Sequence, residues 1–123
     1  MQKNKWNKEE RRITMTEELV TLETAELLKE KGFSGRKYII DVSTLPHCYK
    51  FLSVPPQSIA QKWLRETKNL HIEIPYMYGN YWIYDILTIP NHDLVGLSNR
   101  PIIHYNTYEE ALEEGLQEAL KLI

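Results

Sequence analysis

The sequence predicts an α+β domain, an antiparallel sheet of three or four strands with three helices packed mainly on one face. Three observations lead there. Residues 55–89, PPQSIAQKWLRETKNLHIEIPYMYGNYWIYDILTI, change hydrophobic period once, from 3.6 to 2, as a helix running into a β-hairpin would. Two further stretches of helical period, 21–33 and 106–123, bracket that segment. KYIIDV and PIIHY add short strand-like runs between turn residues.

In chain order, residues 1–14 are a polar, mixed-charge lead in which only Trp6 and Ile13 are large and apolar. Terminal segments without apolar anchors seldom order, so a flexible lead is expected before a single domain over 15–123. In TLETAELLKEKGF, Thr21 suits the N-cap, and Leu22, Ala25 and Leu28 give the inner stripe with Leu27 on its flank. Gly32-Phe33 is a C-terminal stop. KYIIDV then reads as a strand, STLPH as a loop and CYKFLSV as a short strand.

Pro55 and Pro56 open the second helix, since proline is tolerated in a first turn. Ile59, Ala60, Trp63 and Leu64 form its apolar stripe, and Asn69 suits the left-handed residue past its end. PNHDLVGLSNRP reads as a loop and PIIHY as an edge strand. The last helix begins with a capping box, Thr107 with Glu110. Its core stripe is Ala111, Leu112, Gly115, Leu116, Ala119, Leu120 and Ile123, and Glu109, Glu110, Glu113, Glu114 and Glu118 face water. Gly115 inside a helix costs about 1 kcal/mol against Ala, which implies close approach to the sheet or another helix. The expected core combines Trp63, Leu64, Ile72, Ile74, Leu112, Leu116 and Leu120.

The hairpin register follows from charge. A two-residue loop, Gly79-Asn80, would put Asp85 on the face carrying Ile72 and Ile74. A three-residue loop, Tyr78 to Asn80, groups Trp82, Tyr84, Ile86 and Thr88 with that face and sends Asp85 out beside His71 and Glu73. A slip of one residue exchanges the faces, and an unpaired buried carboxylate is expensive. The three-residue loop is expected, with Asn80 at positive φ. The outer face then holds Pro75, Met77, Tyr81, Ile83, Leu87 and Ile89, an apolar patch that something must cover. The candidates are the following loop, a second copy or a partner.

Bulk properties narrow the function. Hydrophobic content of 42% and charged content of 26% are ordinary for a globular domain. A net charge of −2 gives no bulk attraction to nucleic acid. The single cysteine, Cys48, excludes an intramolecular disulfide and suits a reducing compartment. No apolar run reaches the roughly 18–20 residues of a membrane span, and no signal-peptide core follows the start, so a cytoplasmic protein is expected.

Chemical motifs are sparse. His47, His71, His92 and His104 show no helical i, i+4 pair, and the chain has no CxxC, so no metal site is expected. His47-Cys48 are adjacent, which suits neither a chelate nor a Cys–His nucleophile. Asp41, Glu73 and Asp85 would have to meet across a sheet to act as an acid/base pair, and wet-face carboxylates are the commoner case. No GxxxxGK or GxGxxG is present, and no cofactor is expected. Tyr76, Tyr78, Tyr81, Trp82 and Tyr84 cluster at the hairpin tip, where aromatics either fill the core or form a recognition patch. Tyr76, Tyr78, Tyr81 and Ile83 are the candidate interaction surface. Lys62, Arg65 and Lys68 on the second helix suggest DNA, but the gap from the first helix exceeds a helix-turn-helix turn.

The blocks VTLETAELLKEKGF, PPQSIAQKWLRETKNLHIEI and NTYEEALEEGLQEALKLI resemble a family of small uncharacterised proteins of Bacteroides-type gut bacteria, their prophages and phages. The similar pattern there is a KEKGF helix end, a QSxxQKWLRE helix leading into a HI-type strand, and a closing TYEEALEAG helix. The resemblance spans residues 20–123, with Pro56 standing where a threonine usually caps the helix. It implies an accessory protein of a phage or mobile element and no particular chemistry. The expected function is a non-enzymatic protein-interaction or adaptor domain, with an unidentified protein or a second copy as partner. A DNA-binding regulator and a small enzyme with a sheet-face acid/base site are the alternatives.

Overall fold

The computed structural model describes residues 17–44, 50–99 and 103–123. Helix α1 (Leu22–Glu30) is followed by a 3-10 turn (Arg36–Tyr38) and the strands β1 (Ile39–Asp41) and β2 (Phe51–Ser53). Helix α2 (Gln57–Thr67) leads into β3 (Leu70–Glu73), β4 (Tyr76–Met77), β5 (Tyr81–Trp82), β6 (Asp85–Thr88) and β7 (Leu94–Leu97), and α3 (Tyr108–Leu122) closes the chain. The fold is α+β: an antiparallel sheet in the order β3-β6-β7, two smaller strand pairs, β1-β2 and β4-β5, and three helices. The expected lead over residues 1–14, and His47 and Cys48, lie outside the described residues.

Each helix has local causes. The Thr21 side chain caps α1 by accepting the Thr24 N–H. At its other end Gly32 takes φ 101°, Phe33 N–H reaches Leu28 O at 3.0 Å and Gly32 N–H reaches Lys29 O at 3.2 Å, the two bonds of a Schellman stop. Pro56 occupies the α2 N-cap with no side-chain hydrogen bond, and Asn69 turns the chain at φ 56°. In α3 the Thr107/Glu110 capping box is complete, and Ala111, Leu112, Gly115, Leu116, Ala119 and Leu120 are buried. A Cβ on Gly115 would lie 2.9 Å from Ile72 Cγ2 and 3.3 Å from Tyr84 Cβ, so the close approach is to the sheet.

Two expectations about helix faces are corrected. The buried line of α2 is Gln57, Ala60 and Leu64, at i, i+3 and i+7. Ile59 and Trp63 sit on its flank, and Trp63 is half-buried with its ring edge-on to Phe33 at 5.7 Å. Ile74 is also half-buried, while Leu64, Ile72, Leu112, Leu116 and Leu120 are core. On α3, Glu113 and Glu118 do not simply face water; half-buried, they turn toward α1 and the sheet, where hydroxyl and amide donors meet them.

The hairpin keeps one register throughout, Ile72↔Ile86, Glu73↔Asp85, Tyr76↔Trp82 and Met77↔Tyr81. The loop is therefore Tyr78-Gly79-Asn80, with Asn80 at φ 64°. Asp85 stands with Glu73 on the side away from Ile72 and Ile86, as desolvation cost requires. Residues 94–97, expected as loop, form β7 instead. PNHD is the hairpin turn: Thr88 N–H bonds Asp93 O at 2.9 Å, Asp93 N–H bonds Thr88 Oγ1 at 2.9 Å, and His92 has φ 64°. Gly96 hid this strand from its alternation, and a Cβ there would run into the Glu118 carboxylate and lie 2.9 Å from Ile86 Cδ1. KYIIDV is also shorter as a strand, since Arg36–Tyr38 wind into the 3-10 turn first. Of PIIHY, Tyr105 makes one antiparallel bridge to Trp82, and residues 101–102 lie outside the described residues.

The sheet's two edges differ. Along β3 the Gln61 amide of α2 donates to Ile72 O at 2.8 Å, so helix α2 covers that edge. β7 is the other edge, with Leu94, Val95 and Leu97 exposed. The segment after the hairpin thus widens the sheet sideways.

Candidate interaction surface

The hairpin tip is built from aromatic residues that brace one another. Tyr76 and Trp82 are cross-strand partners with ring centroids 4.7 Å apart, and the Tyr76 hydroxyl donates to Asn80 Oδ1 at 2.7 Å. Trp82 meets the Tyr108 ring edge-on at 5.5 Å, which ties the tip to the first turn of α3. Tyr81 stacks on His104 at 3.7 Å and 11°. Tyr78 stands beyond this support, fully exposed, and Tyr76 is 56% exposed.

The four residues singled out from sequence separate here. Tyr76 and Tyr78 are on the surface, Tyr81 is half-buried against His104, and Ile83 is not on the surface at all. Ile83 is 1% exposed within the single chain, and its N–H bonds Pro75 O at 3.2 Å. Its neighbour on that face, Leu87, is buried as well, whereas Ile89 is exposed. The expectation that Ile83 belongs to the interaction surface is therefore corrected: the single chain itself buries it.

The acid/base candidates are only partly brought together. Glu73 and Asp85 are cross-strand partners, while Asp41 lies in the separate β1-β2 pair. There it accepts the Ser43 N–H at 2.9 Å, and hydrogen bonds from Ser43 hold its carboxyl below the usual range. Among the described residues no three His, Cys, Asp or Glu converge as a metal site, and no helix is long and apolar enough to cross a membrane. The β1-β2 pair separates α1 from α2 in the chain, so the two do not form a helix-turn-helix.

Sequence reasoning missed two polar clusters. Glu113 accepts from Thr21, Thr24 and Gln57 at the start of α1. Glu118 Oε1 accepts the Tyr84 hydroxyl at 2.5 Å, with Tyr105 6.2 Å from Tyr84 by ring centroid. Burial, then the bond to Glu118, pushes the Tyr84 hydroxyl far above its ordinary pKa; burial, then Glu114 and Glu118, raises Tyr105. Their only sequence signal is that Glu113 and Glu118 flank the apolar stripe of α3. No family model, curated protein or solved structure matches this chain.

Proposed function

We propose that this chain is a small non-enzymatic interaction domain, an adaptor of a phage or mobile element acting in the cytoplasm, whose contact with its protein partner is the hairpin tip. The supporting observation is Tyr78, wholly exposed on a three-residue loop whose neighbours Tyr76, Trp82 and Tyr108 are locked ring against ring. A rigid, exposed aromatic loses little entropy on docking, which is why Tyr and Trp dominate interface hot spots. The phage and mobile-element part of the reading rests on the three sequence blocks alone.

The test is affinity capture from the native cell, infected and uninfected, with wild type beside a Tyr76→Ala/Tyr78→Ala variant. Both side chains are outside the core, and circular dichroism checks that the variant keeps the fold. A protein held by wild type and released by the variant supports the reading. Identical sets of captured proteins overturn it.

A further inference from the structure

The net charge of −2 conceals a strong separation of charge. Every Lys and Arg among the described residues except Lys121 falls between residues 29 and 68. Several gather around a groove where α1 ends. A cavity of about 340 Å³ opens there between α1 and the β1-β2 pair, walled by Phe33, Ile39 and Phe51 with Arg36 at its side. It shares Phe33 and Arg36 with a second hollow of about 570 Å³, lined by Trp63, Lys37 and Lys62 with Glu66 as its one carboxylate. Phe51 is 54% exposed, and Ile39 is similarly open. The groove is an apolar slot set in positive charge.

The opposite chemistry lies at the other end of α1. A cleft of about 590 Å³ is lined by glutamates, Glu18, Glu109 and Glu114 among them, and by no Lys or Arg. Leu19 borders it, 53% exposed beside Glu18. This corner is not a loose end. Glu18 O accepts the Gln57 N–H at 2.8 Å, Val20 N–H bonds Pro55 O at 3.0 Å, and Leu19 bridges Pro56. An exposed leucine bordered by carboxylates is held ready, and an apolar slot whose charged neighbours are mostly cations matches it.

We propose that the groove is the docking site for the Glu18–Leu19 corner of a second copy of this chain. Leu19 enters the slot between Ile39 and Phe51, while Glu18 and Glu114 face Arg36 and Lys62. Helix α1 has 9 residues, so its ends stand roughly 13 Å apart and one copy cannot fill its own groove. The contact is heterologous, joining copies head to tail into a ring or an open chain. Nucleic acid is the weaker occupant, because the aromatic faces already carry cations: Lys50 lies 5.5 Å from the Phe51 centroid and Lys68 lies 5.6 Å from that of Trp63. Neither Tyr76 nor Tyr78 lines the groove or the Glu18–Leu19 corner, so this contact is separate from the tip.

Charge reversal tests it, read by sedimentation velocity of the full chain over a concentration series at low and high salt. Wild type should associate with rising concentration, less so as salt screens the contact. Arg36→Glu/Lys62→Glu and Glu18→Lys/Glu114→Lys, all at exposed positions, should each be folded by circular dichroism and monomeric. Mixing the two variants should restore association, because each then meets a complementary face. Leu19→Asp should abolish it, and Tyr78→Ala should leave it at the wild-type level. A wild type that stays monomeric at every concentration and salt overturns the proposal. So does a mixture that stays monomeric, a Tyr78→Ala loss equal to that of Leu19→Asp, or a groove that retains labelled single-stranded DNA without self-association.

Discussion

Glu113 in α3 holds Thr21 at the start of α1: its Oε2 accepts the Thr21 hydroxyl at 2.8 Å and the Thr21 N–H at 3.1 Å. The Thr24 hydroxyl donates to the same oxygen, and Gln57 Nε2 donates to Oε1 at 2.9 Å. One carboxylate thus joins α3 to the N-terminal end of α1 and to α2, and its charge faces the positive end of the α1 dipole.

Glu113→Ala removes this acceptor from Thr24 and Gln57, both buried. Hydrogen bonds to a charged partner contribute roughly 1.5–3 kcal/mol, so a loss of about 2–3 kcal/mol is expected. Glu113→Gln, which keeps one acceptor, should lose less. Urea denaturation measures both, and a Glu113→Ala midpoint equal to wild type would show that the cluster adds nothing.

Tyr84 gives an alkaline dependence. Its pKa is raised on folding, so above the ordinary tyrosine value, roughly 10, the unfolded chain loses a proton that the folded chain keeps. The tyrosine's contribution is complete below that pH and is lost as pH rises through and beyond it. Tyr84→Phe should therefore be less stable than wild type near neutrality and fall less steeply between about pH 10 and 11. Parallel melting-temperature profiles for the two proteins over that range would refute the assignment. Tyr105→Phe, raised for the same cause of burial, should show a smaller flattening.

Gly115→Ala tests the helix-to-sheet contact. Alanine gains about 1 kcal/mol of helix propensity. Its methyl meets Ile72 Cγ2 at 2.9 Å and Tyr84 Cβ at 3.3 Å, neither of which is the free end of a flexible chain. Overpacking costs about 1–3 kcal/mol, so a net loss of roughly 1 kcal/mol is expected. A stabilised variant would mean that α3 can lift off the sheet without penalty.

Ile83→Asp places a carboxylate where 1% of the side chain is exposed, and loss of the folded state at 25 °C is expected. Tyr78→Ala should stay within about 0.5 kcal/mol of wild type, as exposed positions do. Leu64→Ala should cost about 2–5 kcal/mol, and Trp63→Ala less than a fully buried tryptophan would, because that ring is only half-buried against Phe33. A folded Ile83→Asp protein with the wild-type midpoint would refute the burial of that face.

Much of the fold was legible locally. The Thr107/Glu110 box, the stripe of α3, the Gly32 stop and the three-residue loop with Asn80 all follow from patterns within a few residues. β7 was not legible because Gly96 leaves no side chain to alternate, and its turn residues resembled a loop. Of the candidate surface, Tyr76 and Tyr78 could be placed from the hairpin register, whereas Ile83 could not, since the register gives its face and not its cover.

The sequence by itself determined where helices begin and end and the pairing of the hairpin. Those outcomes are local, because the cost of a broken cap or of a slipped register falls on neighbouring residues. Only the tertiary structure decided that Glu113 and Glu118 turn inward and that the cations and glutamates collect at opposite ends of α1. Thr21 and Glu113 are 92 residues apart, so their bond exists only after α1 and α3 have packed. A carboxylate at the flank of a helix stripe is equally at home in water or against a buried hydroxyl, and the neighbour that packing supplies chooses between them.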